Sequence, residues 1–285
     1  MIDTFYFGRL QINVKSDYRI NWKENERKFF FSSMNPIKVS NTDIETVDKL
    51  PNANGKCIRN NKSVQIYISE KEDRIYIPTF CGNQNPCAYS CVSDDKSISV
   101  KQLFDLNLIN NPNYNILTMI HLEQLLLSVD ALILHSCYTE YQNEAILFTA
   151  PSGTGKTTQA NLWKKNYDIS IINGDKCLLQ KYNETYYACG FFLSGSAEEC
   201  ENKSMPIKAI VIVRQDKEDY IEEISDANKV GLLYSEITIN DWNFDFVNKS
   251  LDLLEDLISK IPVLILHCTM EDHAAHVLHD YLYGG

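Results

Sequence analysis

Residues 148–163 read FTAPSGTGKTTQANLW, and this stretch decides the fold of the chain. It contains most of the phosphate-loop pattern G-x-x-x-x-G-K-[S/T], with Ala150 at the first glycine position and Gly155, Lys156 and Thr157 at the last three. An apolar run that predicts a strand precedes the turn, and a run that predicts a helix follows it. This order of elements is the context in which the pattern binds phosphate. The sequence therefore predicts an α/β domain with a P-loop.

Each residue type in this turn has a chemical reason to be there. Glycines let successive backbone N–H groups converge on phosphate oxygens, and the N-terminus of the following helix adds positive charge. We expect the Lys156 ammonium to reach the β- and γ-phosphates and the Thr157 hydroxyl to ligate Mg²⁺. ATP and Mg²⁺ are accordingly the predicted cofactors. The predicted nucleotide-binding residues are Ser152, Gly153, Thr154, Gly155, Lys156, Thr157 and Thr158.

A second candidate site residue follows the turn closely. The apolar stretch ISIINGDK, residues 169–176, carries Asp175, which lies 18 positions after Thr157. A strand that ends in a carboxylate beside a phosphate loop places negative charge close to Mg²⁺ and the γ-phosphate. We predict that Thr157 and Asp175 hold the metal and that Asp175 is catalytic. The alternative interpretation is that Asp175 only forms a β-turn, because Asn-Gly-Asp is a favourable turn sequence.

Other nucleotide-dependent classes lack their signatures in this chain. The sequence contains neither the H-R-D nor the D-F-G motif of protein kinases. The later apolar run AIVIV ends at Arg214 rather than at an acidic pair, so the acidic motif of transport ATPases and helicases is not visible. These observations leave a phosphate-binding turn with one nearby carboxylate.

Two blocks of sequence carry a resemblance to a known family. Residues 131–158, ALILHSCYTEYQNEAILFTAPSGTGKTT, and residues 171–179, IINGDKCLL, resemble the HPr kinase/phosphorylase and phosphoenolpyruvate carboxykinase superfamily. The chain is most similar to the HPr-kinase-like proteins that are encoded with peptide-modification genes. The resemblance extends roughly from Met119 to the C-terminus. It implies an ATP-dependent kinase that transfers the γ-phosphoryl group to a hydroxyl, with a serine of a peptide or small protein as the acceptor.

The same resemblance assigns site residues and leaves alternatives open. The family's strand histidine falls on His135, which gives Asp175, His135 and Lys156 as the predicted catalytic residues. The family commonly has an acidic pair where this chain has Gly174 and Asp175, so one carboxylate remains. A kinase of a free small metabolite, a carboxykinase, and a nucleotide-gated peptide-binding protein without catalysis are the alternatives. The chain is short for a carboxykinase and lacks an evident cluster of arginines and lysines for a dicarboxylate.

Composition limits the classes of binding partner and the cellular compartment that we expect for the protein. The formal net charge of −11 argues against nucleic acid, and no apolar run approaches the ~20 residues of a membrane helix. The first residues lack the basic and apolar regions of a signal peptide, and the nine cysteines are an odd number, with several inside apolar runs. We therefore expect a cytoplasmic protein with reduced thiols and no membrane or nucleic-acid partner. The sequence leaves an oligomer open.

Patterning predicts two domains. Residues 1–112 are expected to form a smaller β-rich domain that includes KFFFSS, residues 28–33, as a β segment. Residues 113–285 are expected to form a mixed central sheet with flanking helices, opened by a helix that contains His121 as a structural or surface residue. Two further groups are weighed as metal ligands and not favoured. Cys81, Cys87 and Cys91 lack a partner set at zinc-finger spacing, and the histidines His273, His276 and His279 indicate a solvent-facing helix edge.

Overall fold

The computed structural model describes residues 1–61, 64–71, 73–78, 86–93, 98–103, 116–195 and 199–284. The chain is a mixed α/β protein with two multi-stranded sheets, and it divides into two compact units. The first unit comprises Met1–Tyr6, Leu10–Trp22 and Ile37–Leu125, and the second comprises Phe7–Arg9, Lys23–Pro36 and Leu126–Gly285. The domain boundary predicted at residue 112 lies outside the described residues, as does Cys81.

The first sheet has the strand order β1-β2-β3-β8-β7-β6-β5-β4. Strands β2, β3 and β8 run parallel to one another, and β8 to β4 form an antiparallel meander. Alternate residues of β2 and β8 are buried, as expected for strands that cover a core with one face. The strands are β1 (Ile2–Phe7), β2 (Leu10–Ser16), β3 (Lys38–Val47), β4 (Lys56–Asn60), β5 (Val64–Ile68), β6 (Arg74–Pro78), β7 (Ala88–Val92) and β8 (Ile98–Leu103).

The β segment predicted at residues 28–33 is wrong. This stretch begins with a 3₁₀ helix, Lys28–Phe30, which directly follows the short helix α1 (Glu24–Arg27). Phe29 is fully buried and stacks on Phe7 with ring centroids 5.1 Å apart. Phenylalanine favours strands because its ring packs against cross-strand neighbours, and in this stretch the buried Phe29 ring packs on Phe7 without sheet pairing of its own backbone.

The single helix predicted around His121 is divided in two. A 3₁₀ helix, Ile116–Met119, is followed by α2 (Leu122–Leu127), and His121 lies between them with φ of +52°. This left-handed conformation cannot continue a helix, so the apolar periodicity persists across a backbone break. The His121 ring is buried, contacts Ser90 Oγ at 2.7 Å through Nε2, and lies against the Tyr76 ring at 3.5 Å.

The second sheet is built around two long strands that change partners. Strand β9 pairs with β12 through residues 131–135 and with β10 through residues 136–141. Strand β14 pairs first with β13 and then, in parallel, with β10 and β16. The strands are β9 (Ala131–Tyr141), β10 (Glu144–Thr149), β11 (Ser170–Asn173), β12 (Lys176–Tyr182), β13 (Thr185–Cys189), β14 (Ser204–Gln215), β15 (Tyr220–Glu222) and β16 (Val263–Cys268).

Helices cover both faces of the parallel strands. Ile146 and Phe148 of β10 pack with Trp163, whereas the alternating residues Ala145 and Leu147 belong to the cluster on the opposite face. Because side chains alternate across a strand, these two sets define two hydrophobic layers. One layer is covered by α3 (Lys156–Tyr167) and α6 (Asp272–Tyr283), and the other by α4 (Asp226–Glu236) and α5 (Phe244–Ile258).

In the described part of the chain, no helix is both long enough and apolar enough to cross a membrane.

Candidate functional site

The glycine-rich turn joins the end of β10 to the start of α3. Gly153 and Gly155 have φ of +80° and +117°, a backbone region that residues with a Cβ rarely enter. A Cβ on Gly153 would meet no atom within 4 Å, so the turn is open on that side. No side chain caps α3, and the first N–H groups of any helix lack intrahelical acceptors. The Thr154 N–H donates to the Pro151 carbonyl oxygen, and the amides at the start of α3 are the donors that would suit a phosphate.

Lys156 is the first residue of α3 and is 7% exposed. Its ammonium donates a hydrogen bond of 2.8 Å to the carbonyl oxygen of Ala150, which is itself fully buried. Burial lowers the pKa of Lys156, and the charges of Glu236 and Asp175 act in the opposite direction. The cation is therefore folded back on its own loop, with carboxylates close enough to affect its ionisation.

Asn173 fixes the turn that carries Asp175. Its side-chain oxygen accepts hydrogen bonds of 2.9 Å from the backbone N–H groups of Asp175 and Lys176. Its side-chain nitrogen donates to the carbonyl oxygens of Phe191 and Leu193, at 2.6 and 3.1 Å. Because the amide is fully buried, these bonds replace all contact with water. One side chain thereby joins the carboxylate turn to the loop that follows β13.

His135 lies between two carboxylates. Its Nε2 is 3.4 Å from Asp175 Oδ1, and its Nδ1 is 3.1 Å from Glu236 Oε2. The hydrogen bond with His135 is the largest influence on Asp175 and lowers its pKa, with burial opposing and the cations of Lys176 and Lys156 assisting. Asp175 is therefore ionised at neutral pH. The backbone around His135 is also held, because Thr149 Oγ1 donates to its carbonyl oxygen at 2.8 Å.

The loop after β13 packs directly on Asp175. A Cβ on Gly195 would lie 2.8 Å from Asp175 Cγ, which is closer than real Cβ atoms approach. Ser194 is buried, and its hydroxyl accepts a hydrogen bond of 3.2 Å from the Asn25 side chain. This loop therefore restricts the orientations that the Asp175 carboxylate can adopt.

These parts line one cleft of about 540 Å³. Of the residues predicted for the site, Thr154 does not line it; its carbonyl oxygen instead accepts a hydrogen bond from Gln215. The cleft is lined by His135, Ser152, Gly153, Gly155, Lys156, Thr157, Thr158, Asn161, Ile171, Gly174, Asp175, Ser194 and Glu199. The roles assigned to these residues from the sequence stay predictions.

Several lining residues were not singled out by the sequence patterns. Ser194 lies in a glycine- and serine-containing loop after a hairpin, so its loop could be suspected. Asn161 is exposed and lies one turn after Thr157, so helical spacing brings the two side chains to the same face of α3. Glu199 gives no local signal, because it reaches the cleft only through the fold. The same holds for Glu236, which contacts His135 but does not line the cleft.

Oxygen donors at the cleft suit Mg²⁺. Across the described residues, no three histidine, cysteine, aspartate or glutamate side chains converge as a metal site. Mg²⁺ is usually held by one or two carboxylates together with substrate phosphates, and Asp175 and the exposed Thr157 hydroxyl fit that donor set. The helical histidines are engaged elsewhere: His273 with Asp219, His276 with Tyr167, and His279 with Tyr141.

Comparisons with known proteins add a distant likeness to solved structures. No family model matches the sequence, and no curated protein matches it. The solved structure of the Hpr(Ser) kinase/phosphatase from Coxiella burnetii is similar over 52% of this chain and 95% of that chain. The sequence identity is 7%, and the TM-score is 0.30. A likeness this distant assigns neither a family nor an activity to the chain.

Proposed function

We propose that the protein is an ATP-dependent kinase that transfers the γ-phosphoryl group to a hydroxyl, with a serine of a peptide or small protein as the acceptor. The observation that carries the proposal is that Asp175 lines the same cleft as the glycine-rich turn and Lys156. A phosphate-binding turn alone supports binding. An ionised carboxylate at the same cleft adds a group that can receive a proton from an attacking hydroxyl.

The proposed step uses few groups. The amides of the turn and the Lys156 ammonium hold the phosphates, and Lys156 exchanges the Ala150 carbonyl for phosphate oxygens. Thr157 and Asp175 would hold Mg²⁺, which supplies charge neutralisation when it is bound. The acceptor oxygen forms a bond to the γ-phosphorus while the bond from that phosphorus to the β–γ bridging oxygen breaks. Asp175 takes the hydroxyl proton, and ADP leaves.

The substitution Asp175→Asn tests the proposal, because it keeps the shape of the side chain and removes its charge. Single-turnover transfer from [γ-³²P]ATP to an array of serine-containing peptides should fall roughly 10²-fold or more. Mg·ATP affinity, measured by calorimetry, should fall less, because Lys156 and the turn amides remain. Asp168→Asn is the matched control, since Asp168 is exposed in the turn that ends α3.

The outcomes separate the alternatives. Transfer by Asp175→Asn at the wild-type rate would overturn the catalytic role of this carboxylate. Free serine, included beside the peptides, distinguishes a small-metabolite kinase from a peptide kinase. Binding of Mg·ATP without transfer to any acceptor would favour the nucleotide-gated binding protein, which the glycine at position 174 in place of a second carboxylate keeps under consideration.

A further inference from the structure

Glu236 faces His135 although it is distant from it in the sequence. Its Oε2 atom is 3.1 Å from His135 Nδ1, and its side chain is 10% exposed. A carboxylate only accepts hydrogen bonds, so Nδ1 must be the donor in this contact. The opposite ring nitrogen, Nε2, is directed at Asp175, and because Asp175 is also a carboxylate, Nε2 is the donor in that contact as well.

The backbone at the end of α4 holds Glu236 in this place. Glu236 is the last residue of α4, and Ile237 forms a bridge with Leu134 of β9. Thr238 N–H donates a hydrogen bond of 2.9 Å to the Ile133 carbonyl oxygen. Since β9 also carries His135, the helix end and the histidine are fixed to the same strand. Backbone hydrogen bonds between the helix end and β9 therefore hold the two side chains next to each other.

Neither the nucleotide nor Mg²⁺ is predicted to touch Glu236, because it does not line the cleft. Its direct contact with the site is through the imidazole ring, and its charge also acts on the Lys156 ammonium, where it opposes the lowering of that pKa by burial. An imidazole that is bonded at one nitrogen has its plane and its second nitrogen fixed, which is how carboxylates orient histidines in many sites. The second nitrogen here contacts the carboxylate proposed to take the acceptor proton.

We infer that Glu236 is a positioning residue, which acts through His135 to hold the Asp175 carboxylate in the cleft; this inference rests on the proposed function. His135 thereby becomes the middle member of a chain from α4 to the reacting group. Asp175 is held from three sides, by His135, by the Asn173 amide beneath its turn and by Gly195. Loss of the His135 contact frees one of these sides.

The first measurement needs no substrate. In protein labelled with [¹⁵N]histidine, the two ring-nitrogen shifts of His135, assigned by their loss in His135→Gln, should report a hydrogen-bonded Nδ1–H. Glu236→Ala should remove that signature, and Glu236→Gln should retain it, because the amide oxygen still accepts a hydrogen bond. Histidine shifts that Glu236→Ala leaves unchanged would overturn the inference.

The second measurement is single-turnover transfer from Mg·ATP. Glu236→Ala should lower the transfer rate by about tenfold or more, the scale for groups that orient a histidine, while calorimetric Mg·ATP affinity does not fall. Glu236→Gln should restore most of the rate. Asp226→Ala, which removes a carboxylate from the first turn of the same helix, is the control and should behave as wild type.

The outcomes distinguish the inference from the proposed function. A normal rate in Glu236→Ala, or a loss confined to nucleotide affinity, would overturn the positioning role. A Glu236→Gln variant as slow as Glu236→Ala would also overturn it, because charge rather than orientation would then matter. Wild-type protein that binds Mg·ATP, transfers nothing and still shows the His135 signature would overturn the proposed function while supporting the hydrogen-bond link.

Discussion

At the scale of single residues, the main cation of the cleft, Lys156, already makes a hydrogen bond within its own loop. The Lys156 ammonium is buried and donates to the Ala150 carbonyl oxygen, so the loop is held closed on itself by its own side chain. Phosphate oxygens carry more charge than a carbonyl oxygen and form stronger bonds with an ammonium. Exchange of one acceptor for the other is therefore favourable.

Lys156→Ala should weaken Mg·ATP binding at least about tenfold, on the order of 1.4 kcal/mol. The reason is that the variant removes the cation that we propose to neutralise the β- and γ-phosphates. Isothermal calorimetry gives the affinity, and Lys164→Ala, an exposed lysine near the end of the same helix, is the matched control. Equal affinity in a folded Lys156→Ala protein would remove the turn from the nucleotide site.

Gly195→Ala should reduce phosphoryl transfer by roughly tenfold to a hundredfold, the scale for misplacing a catalytic group. The new Cβ would lie 2.8 Å from Asp175 Cγ, so either the loop or the carboxylate must move, and φ of +60° adds strain. Single-turnover kinetics measures the rate. Gly231→Ala is the control, because a Cβ there meets no atom within 4 Å. A normal rate in Gly195→Ala would show that the carboxylate tolerates displacement.

At the scale of elements, local sequence patterns predicted the helices and strands that depend on local interactions. Apolar runs and the glycine-rich turn between them predicted the helix at residues 156–167 and the strands β9, β10 and β16. The structure has these elements at the predicted places. Helix α4 was missed because Leu233 is its one buried residue, so it has little apolar periodicity. The contacts of Asp175 with His135 and Gly195 join separate elements, and no local pattern encodes such contacts.

The break between the 3₁₀ helix and α2 has a pH-dependent consequence. Burial lowers the pKa of His121 to about 3, from an unperturbed value of 6.5. Between these values the unfolded chain binds a proton that the folded unit does not, so stability is full above pH 6.5 and falls as the pH is lowered. The slope approaches about 1.4 kcal/mol per pH unit.

We therefore expect the calorimetric transition of the first unit to move to lower temperature between pH 7 and pH 5. His121→Asn should reduce this shift, because asparagine adopts the left-handed conformation and does not titrate in that range. Asp and Glu side chains titrate mostly below this window, which isolates the histidine. A wild-type transition that does not depend on pH between 7 and 5 would contradict the assignment of a buried, neutral His121.

At the scale of the whole molecule, the cleft belongs to one unit. All the residues that line it lie between His135 and Glu199, in the second compact unit. That unit also contains Lys23–Pro36 from the N-terminal part of the chain, whose Asn25 bonds Ser194. The residues that we predict to bind nucleotide are contiguous in the sequence, so a local pattern can list them. No local pattern predicts that a segment over a hundred residues away bonds the loop beside the cleft.

Mg·ATP should therefore protect the second unit selectively. A ligand that binds only the native state stabilises it by about 2.7 kcal/mol at one hundred times the dissociation constant. In hydrogen-exchange mass spectrometry we expect slower exchange at residues 150–158 and 173–176, and unchanged exchange in β5 and β6 of the first unit. ATP with EDTA should give much weaker protection, because Thr157 and Asp175 are proposed to act through the metal. Equal protection without Mg²⁺ would remove the metal from the site, and protection centred on β5 and β6 would move the nucleotide to the other unit.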